Sequence, residues 1–448
     1  MPVHVVRLGG NNINQPKIIH SLTSILKKIE NNHILVVSAS ENIQHILVSG
    51  LELLCISSQT YSELLEKLCE EAALVAKLNQ IPELPVFEQS LIPLERLLQG
   101  IQYTGDYSLA LRDQVLSYAE IITTALLHDI LGHAGQTAQL LLPQEIGLIV
   151  TDEYGSASIL KAQSVENIQN RRWERLSLIP GSYGITQAGK IARIGERAAD
   201  YTAAALGSIL DVAELELWEI SKSFKTADDE LIADASYIEN LTYAEASELA
   251  YFHHSSIHPR IVEPLIEQHI PIRVFELQNG EKVLKTTINS SLGEQRQTIK
   301  SVAHSDAIAI LKLNGPGVGF KPGILSIVTT AFAKHQINIR SVITAQTSIN
   351  IIIGKQDVIK AEKISRQLDL RSVNQIEFVS NISLIAIVGH GMQTNHGISA
   401  QLFSAVAKHE INVLLSGSGA SDLVSYLIVD EQDKQKAINE IHKIFFKR

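Results

Sequence analysis

The final third of this chain is written twice. Ala331-Phe-Ala-Lys-His-Gln-Ile-Asn338 returns as Ala405-Val-Ala-Lys-His-Glu-Ile-Asn412, an offset of 74 residues, and Gly323-Ile324 returns as Gly397-Ile398 at the same offset. Apolar runs starting near Ile308 and Ile382 keep that spacing. Each copy reads as strand, Gly-rich turn, helix, strand, strand, helix. Periodic self-similarity outranks local propensity as a fold signal, because each repeat must be one supersecondary unit. Two β-α-β-β-α units, each with a ferredoxin-like sheet, are expected to close the chain. The Gly-rich turn at each helix start offers free backbone N–H groups to a carboxylate.

The region before the repeat reads differently. Val3–Leu8 alternates like a strand, Gly9-Gly10 breaks it, and residues 11–15 lead into a helix ending near Asn31. A continuous apolar strand at 33–38 and a helix from Glu41 follow. This β–α–β–α opening predicts a mostly parallel sheet with helices on its faces. In such folds the first turn is where phosphates bind, although a turn needs glycine in any case. Residues 60–145 read as helical, 148–152, 213–218 and 270–275 as strands, and Tyr243–Phe252 as a helix stopped ahead of His258-Pro259. The stretch 278–301 is polar and turn-rich and reads as a linker. Asn11, Asn12 and Asn14 are expected to cap the first helix. Residues 179–207 hold Gly181, Gly184 and Gly195, then an Ala-rich helix with Asp200 as its expected N-cap. That stretch suits either an anion site or an ordinary turn.

With 38 basic and 48 acidic residues the net charge is −10, which argues against nucleic-acid or anionic-membrane partners. Only Cys55 and Cys69 occur, without metal spacing, so a reducing compartment is expected. His253, His254 and His258 have no acid or cysteine beside them in sequence, and no metal site is expected there. No signal pattern and no apolar run of about 18 residues is read, which points to a cytoplasmic protein.

The motifs resemble those of the aspartokinases. Gly181, Gly184, Gly195, Asp200, Tyr201, Ala203 and Ala204 match a family signature of a Gly-Phe-x-Gly turn leading to Gly-Arg-Gly-Gly-Ser-Asp-Tyr-Ser-Ala-Ala. Val36-Val-Ser-Ala39, residues 116–120, Thr151-Asp152, residues 241–252 and His258-Pro-Arg260 are similarly family-like. The repeat resembles paired ACT domains, with Gly389-His-Gly-Met392 typical of the second. The resemblance runs through the whole chain in order and ends just after the second unit, with no dehydrogenase domain, so a monofunctional form is implied. The implied fold class is α/β: an amino-acid-kinase-like mostly parallel sheet at 1–280, a linker at 281–301, and ACT units at 302–376 and 377–448 that interleave in the family.

The reaction implied is phosphoryl transfer from ATP, with Mg2+, to the β-carboxylate of aspartate, with no covalently bound cofactor. The resemblance assigns catalysis to Arg7, Glu120 and Asp200, phosphate or nucleotide contacts to Gly9, Gly10, Gly181, Trp218 and Asp228, and substrate contacts to Ser38 and Thr123. Gly323, Ile324, Asn338 and Thr344 are the implied effector contacts. Arg340 stands where lysine-sensing relatives place an acid, which disfavours lysine and leaves threonine or another amino acid as effector. A homodimer through the ACT units is implied.

Several family charges are missing. The first-turn lysine is Arg7, and the arginine of Gly-Glu-Arg is Ile121. The arginine of Arg-Gly-Gly-Ser is Glu196, with Arg197 one position on. A phosphate-facing lysine is Ser255. The nucleotide motif keeps only Trp218, Thr226, Ala227 and Asp228. Two anions must meet in this reaction, so lost cations imply weak or lost catalysis. Three readings stay open: a divergent aspartokinase using Arg197 or Lys225 in altered roles, a non-catalytic amino-acid-sensing paralogue, and a kinase for another acidic substrate.

Overall fold

The computed structural model describes residues 2–56, 58–195, 197–219, 224–252, 257–290, 298–392 and 394–447. The chain forms two compact units. One comprises Met1–Phe224, Tyr237–Ala250 and Ser255–Glu294, and the other Lys225–Ser236, Tyr251–His254 and Gln295–Arg448.

The first unit is built on β1 (Val3–Leu8), β2 (Asn32–Val37), β3 (Gln139–Leu140) and β4 (Leu176–Pro180). A small antiparallel hairpin, β5 (Tyr183–Ile185) with β6 (Ile191–Arg193), comes next. The sheet is then extended by β7 (Leu215–Glu219), β8 (Asn240–Thr242), β9 (Ile272–Gln278) and β10 (Glu281–Asn289). Its order is β3-β4-β2-β1-β7-β9-β10-β8, parallel except between β9 and β10. Val5, Val6, Ile34, Leu35, Val36 and Val37 are buried because helices cover both faces, which is why β1 and β2 read as continuous apolar runs. Because β1, β2, β4 and β7 are parallel neighbours, their C-terminal ends share one sheet edge. Ligands bind outside that edge in open α/β sheets.

Several expectations change here. The stretch 281–289 is not linker but β10, paired with β9 through a bulge between Leu284 and Thr286. Residues 148–152 contribute only isolated bridges at Ile149 and Val150. Asn11 does not cap the first helix, Pro16–Lys28; its Oδ1 accepts from the Glu41 N–H at 2.9 Å and so caps the second, Glu41–Cys55. The cap of helix Ala199–Ile209 is Ala198, and Asp200 lies inside the first turn. One stretch, Leu109–His133, is long and apolar enough to cross a membrane, but 83% of its apolar window is buried within the fold, as a core helix would be.

The second unit contains β11 (Ile299–Ser305), β12 (Ile308–Asn314), β13 (Ile339–Thr344), β14 (Ser348–Gly354), β15 (Gln375–Val379), β16 (Ile382–Gly389), β17 (Leu415–Ser421) and β18 (Val424–Asp430). They form two four-stranded sheets, β13-β14-β12-β15 and β11-β16-β18-β17. The repeats are thus interleaved: the first is inserted between β11 and the rest of the second. β11 pairs with β16, and β15 pairs with β12. Equivalent helices, Ile324–Lys334 and Ile398–Ala407, start at Gly323 and Gly397 and bury Val328 with Phe332 and Leu402 with Val406.

A third element completes the second repeat. Residues 225–236 leave the kinase-like sheet and add Ala227 and Ile232 to the core of Val302, Ile385, Leu402, Ile438 and Ile441. The Val302 N–H donates to Thr226 O at 2.8 Å, and Ser301 Oγ donates to Lys225 O at 2.8 Å. Thr226 Oγ1 lies 3.0 Å from Nε2 of buried His442 on the last helix, Lys434–Phe446. Lys447 pairs with Asp234 at 2.7 Å.

Candidate active site

The sheet's C-terminal edge gathers the predicted phosphate turn and the predicted acids. Gly10 lies so close to the turn after β2 that a Cβ would come 2.3 Å from the carbonyl oxygens of Ser38 and Ala39. At Gly181 a Cβ would meet that of Ala199 at 2.4 Å, so β4 and the start of helix Ala199–Ile209 touch backbone to side chain. Glycine is required at both positions for packing, and that close approach delivers Asp200 to the edge.

Arg7, at the end of β1, forms a buried ion pair through its Nε with Asp200 Oδ1. The other oxygen, Asp200 Oδ2, accepts from the His258 N–H at 2.7 Å. Asp200 also sits in the first turn of its helix, where the dipole favours an anion. Burial lowers the pKa of His258, with the Asp200 charge pulling the other way.

A second buried pair lies on helix Tyr118–His133 and β6. Glu120, 1% exposed, accepts from Arg193 Nη2 at 3.3 Å, and Arg193 is 5% exposed. Burial raises the pKa of Glu120, against the opposing pull of Arg193 and the Ser182 hydroxyl. Asp113 holds the backbone of this corner: its Oδ2 accepts from the Gly155 N–H at 2.7 Å and the Arg193 N–H at 2.8 Å. Tyr183, wholly buried, has its pKa raised well above the usual value, by burial first and then by the Glu120 charge. Among the described residues, Glu120 Oε2, Arg193 Nε and Tyr183 Oη are buried without hydrogen-bond partners. Arg193 escapes sequence reading because its partner lies 73 residues away. The one local signal is an arginine between Ala192 and Ile194 in an otherwise apolar strand.

Other predicted residues make contacts within the fold. Thr123 Oγ1 accepts from the Ser40 N–H at 2.9 Å and donates to Ala119 O at 2.7 Å, bracing its helix against the loop after β2. The Ser38 N–H donates to Leu8 O at 3.1 Å. Gly9 precedes the short 3-10 turn Gly10–Asn14. Trp218 is fully buried, and its Nε1–H donates to Glu216 Oε2 at 2.6 Å. Lys282 Nζ donates to the same carboxylate at 2.6 and 2.7 Å. Asp228 Oδ1 accepts from the Glu230 N–H at 3.0 Å, which makes it a turn residue. Arg197 is exposed with φ 57°, and Lys225 pairs with Asp229. Glu196, His253, His254 and Ser255 lie outside the described residues.

Within the first repeat, the pairings Asn314↔Ser348 and Thr344↔Ile349 put Thr344 at the end of the sheet that carries the Gly-rich turn. The turn closes on this end through the Gly319 N–H, 3.1 Å from Gln346 O. Gly323 and Thr344 are exposed, Ile324 is buried in the core, and Asn338 precedes β13 at the opposite end of the sheet.

Comparison with known proteins agrees with this architecture. The amino acid kinase family matches residues 2–276, and an ACT domain matches residues 385–445. A bifunctional aspartokinase/homoserine dehydrogenase of Buchnera aphidicola is 25% identical over 441 residues, which cover 96% of this chain and 52% of that protein. The chloroplastic aspartokinase 3 of Arabidopsis thaliana is 25% identical over 456 residues, 99% of this chain and 81% of its own. The chain thus spans about half the length of the first relative and about four-fifths of the second. The crystal structure of E. coli aspartokinase III in complex with aspartate and ADP shares the fold, with a TM-score of 0.80 at 21% identity over the full length of both chains. With more than half its length matched and the same sheet underlying its site, the chain belongs to the amino acid kinase family, joined to an ACT domain.

Proposed function

We propose that this protein is an aspartokinase of slow turnover whose C-terminal repeats sense an amino acid. The observation that carries the reading is the buried relay from Arg7 through Asp200 to the His258 N–H at the sheet's C-terminal edge. In the reaction a β-carboxylate oxygen of aspartate attacks the γ-phosphorus of ATP, the bond to the β–γ bridging oxygen breaks, and ADP leaves. Mg2+ would enter with the nucleotide as part of that substrate. Arg7 supplies positive charge beside the first turn, where transferring phosphates need it, and Asp200 fixes its orientation. Glu120 supplies a carboxylate for the acceptor's ammonium group.

Slow turnover follows from the charges that are absent. Removing one preorganised donor from such a site typically costs about 10²–10³ in rate, and this chain lacks the family cations at Ile121 and Ser255. The test is a coupled assay with MgATP and aspartate, trapping aspartyl phosphate with hydroxylamine. Turnover that disappears in Glu120→Ala and Asp200→Ala supports the reading, and turnover unaffected by both sinks it.

A second reading, a non-catalytic sensor acting on a partner enzyme, is favoured by one observation. Trp218, Thr226, Ala227 and Asp228, the residues kept from the nucleotide motif, are all engaged in core packing or turn hydrogen bonds. Under that reading threonine or another amino acid raises the melting temperature, MgATP does not, and no aspartyl phosphate forms. A cytoplasmic homodimer through the repeats is the expected assembly, to be measured by light scattering.

A further inference from the structure

We propose that Arg193 is a specificity residue that replaces the arginine missing at position 121, binding a carboxylate of the amino-acid acceptor beside Glu120. The inference rests on the aspartokinase reading and deepens it. An arginine 5% exposed, held to a carboxylate by one contact at 3.3 Å, is an incomplete pair. A buried charge is retained at such a cost only when its remaining hydrogen-bonding groups are satisfied. Among the described residues, Arg193 Nε, a donor, and Glu120 Oε2, an acceptor, are buried without a hydrogen-bond partner, with the Ser182 and Tyr183 hydroxyls near the same carboxylate.

An α-amino acid matches these groups chemically. It carries a cation and an anion separated by one carbon, the ammonium group matching Glu120 Oε2 and a carboxylate matching the guanidinium. The corner is also short of positive charge. Asp113 and Glu120 flank Arg193, with Arg112 further off beside Asp113, and burial raises the pKa of both acids. A ligand's ammonium group would relieve that imbalance, whereas a simple dicarboxylate without one would worsen it. The backbone already pins Arg193 in place, because Asp113 accepts its N–H and Tyr183↔Arg193 closes the β5–β6 hairpin. Ile121, next to Glu120 in sequence on helix Tyr118–His133, is buried in the apolar core, so the cation at this corner comes from β6 instead.

The experiment uses the full chain and measures aspartate binding by titration calorimetry together with KM for aspartate and for ATP. In Arg193→Met, aspartate binding is expected to weaken by roughly 10²-fold, the scale for truncating one member of a buried charged pair, while KM for ATP stays within about twofold. Arg193→Lys, which keeps the charge, is expected to hold about tenfold more affinity than Arg193→Met, a recovery that a merely structural role for the side chain would not give. Should Arg193→Met fail to fold, Arg193→Lys keeps the charge and removes the planar fork, and its KM for aspartate is expected to rise about tenfold. Unchanged aspartate affinity in a folded Arg193 variant overturns the proposal and leaves the aspartokinase reading standing. A wild-type chain that binds no aspartate overturns both.

Discussion

On the proposed acceptor side, Arg7, Asp200, Glu120 and Arg193 are buried side chains whose charges answer one another. On the nucleotide side, the residues that keep the family pattern are held by apolar packing and turn hydrogen bonds. Among the described residues of the two regions, the unpartnered buried atoms of Glu120 and Arg193 lie in the first. A charge kept buried is costly unless something uses it. An apolar or turn residue such as Ala227 or Asp228 is retained by framework alone. Motif identity is therefore a poor guide here, and the pairing state of each side chain is a better one.

The largest effect is expected from Asp200→Ala, which removes the carboxylate from Arg7 and from the His258 N–H. Breaking a buried ion pair costs about 3–5 kcal/mol, read as a lower denaturant midpoint for the first unit. A change below about 1 kcal/mol would mean the acceptor side is as dispensable as the nucleotide side.

His442→Ala should cost about 1–3 kcal/mol, because a buried hydrogen bond to Thr226 is lost and a ring leaves the packed interior. Nucleotide or no nucleotide, that loss is expected to be the same if residues 225–236 are framework. A cost that shrinks in MgATP would instead make the segment a ligand contact.

Acid offers a third test. Burial lowers the pKa of His33, His258 and His442 below the ordinary 6.5. Unfolded, they bind protons below about pH 6.5, whereas the folded chain resists until lower pH, so stability should fall from pH 7 towards pH 5. Glu120 works in the opposite sense: its raised pKa means its contribution is lost as pH rises, not as it falls. His442→Gln should flatten the acid slope, and an unchanged slope would remove His442 from the account.

The smallest effect is expected from Asp228→Ala, about 1 kcal/mol or less for a lost turn hydrogen bond. A large rise in KM for ATP in this variant, with stability unchanged, would restore Asp228 to the nucleotide side and collapse the contrast.

Sequence reading reached the parts of the fold set by local periodicity. The repeat, the parallel opening, and helices such as Tyr243–Phe252 were legible because each carries its signal within a few turns of chain. β10 was not, since Val283 and Leu284 are exposed and only Thr286 and Ile288 are buried, so no alternation marks it. The bounds expected at 301/302 and 376/377 cut through β11 and β15, because only their tertiary pairing defines them. At the site, Arg7, Glu120 and Asp200 carried family motifs, but the partners that give them meaning are remote. Asp200 lies 193 residues from Arg7, and Arg193 lies 73 from Glu120.

The clasp between Thr226 and His442 also sets a schedule. These residues are 216 positions apart, and at a synthesis rate of about 5–20 residues per second the second emerges roughly 10–40 s after the first. The residues that make the Arg7–Asp200–His258 relay are all synthesised long before then. Residues 225–236 must wait for the final helix, and β11 for β16, before either can be buried. For that interval Ala227 and Ile232 on a nascent chain still lack their core, and helix Lys434–Phe446, made much later, is what completes it.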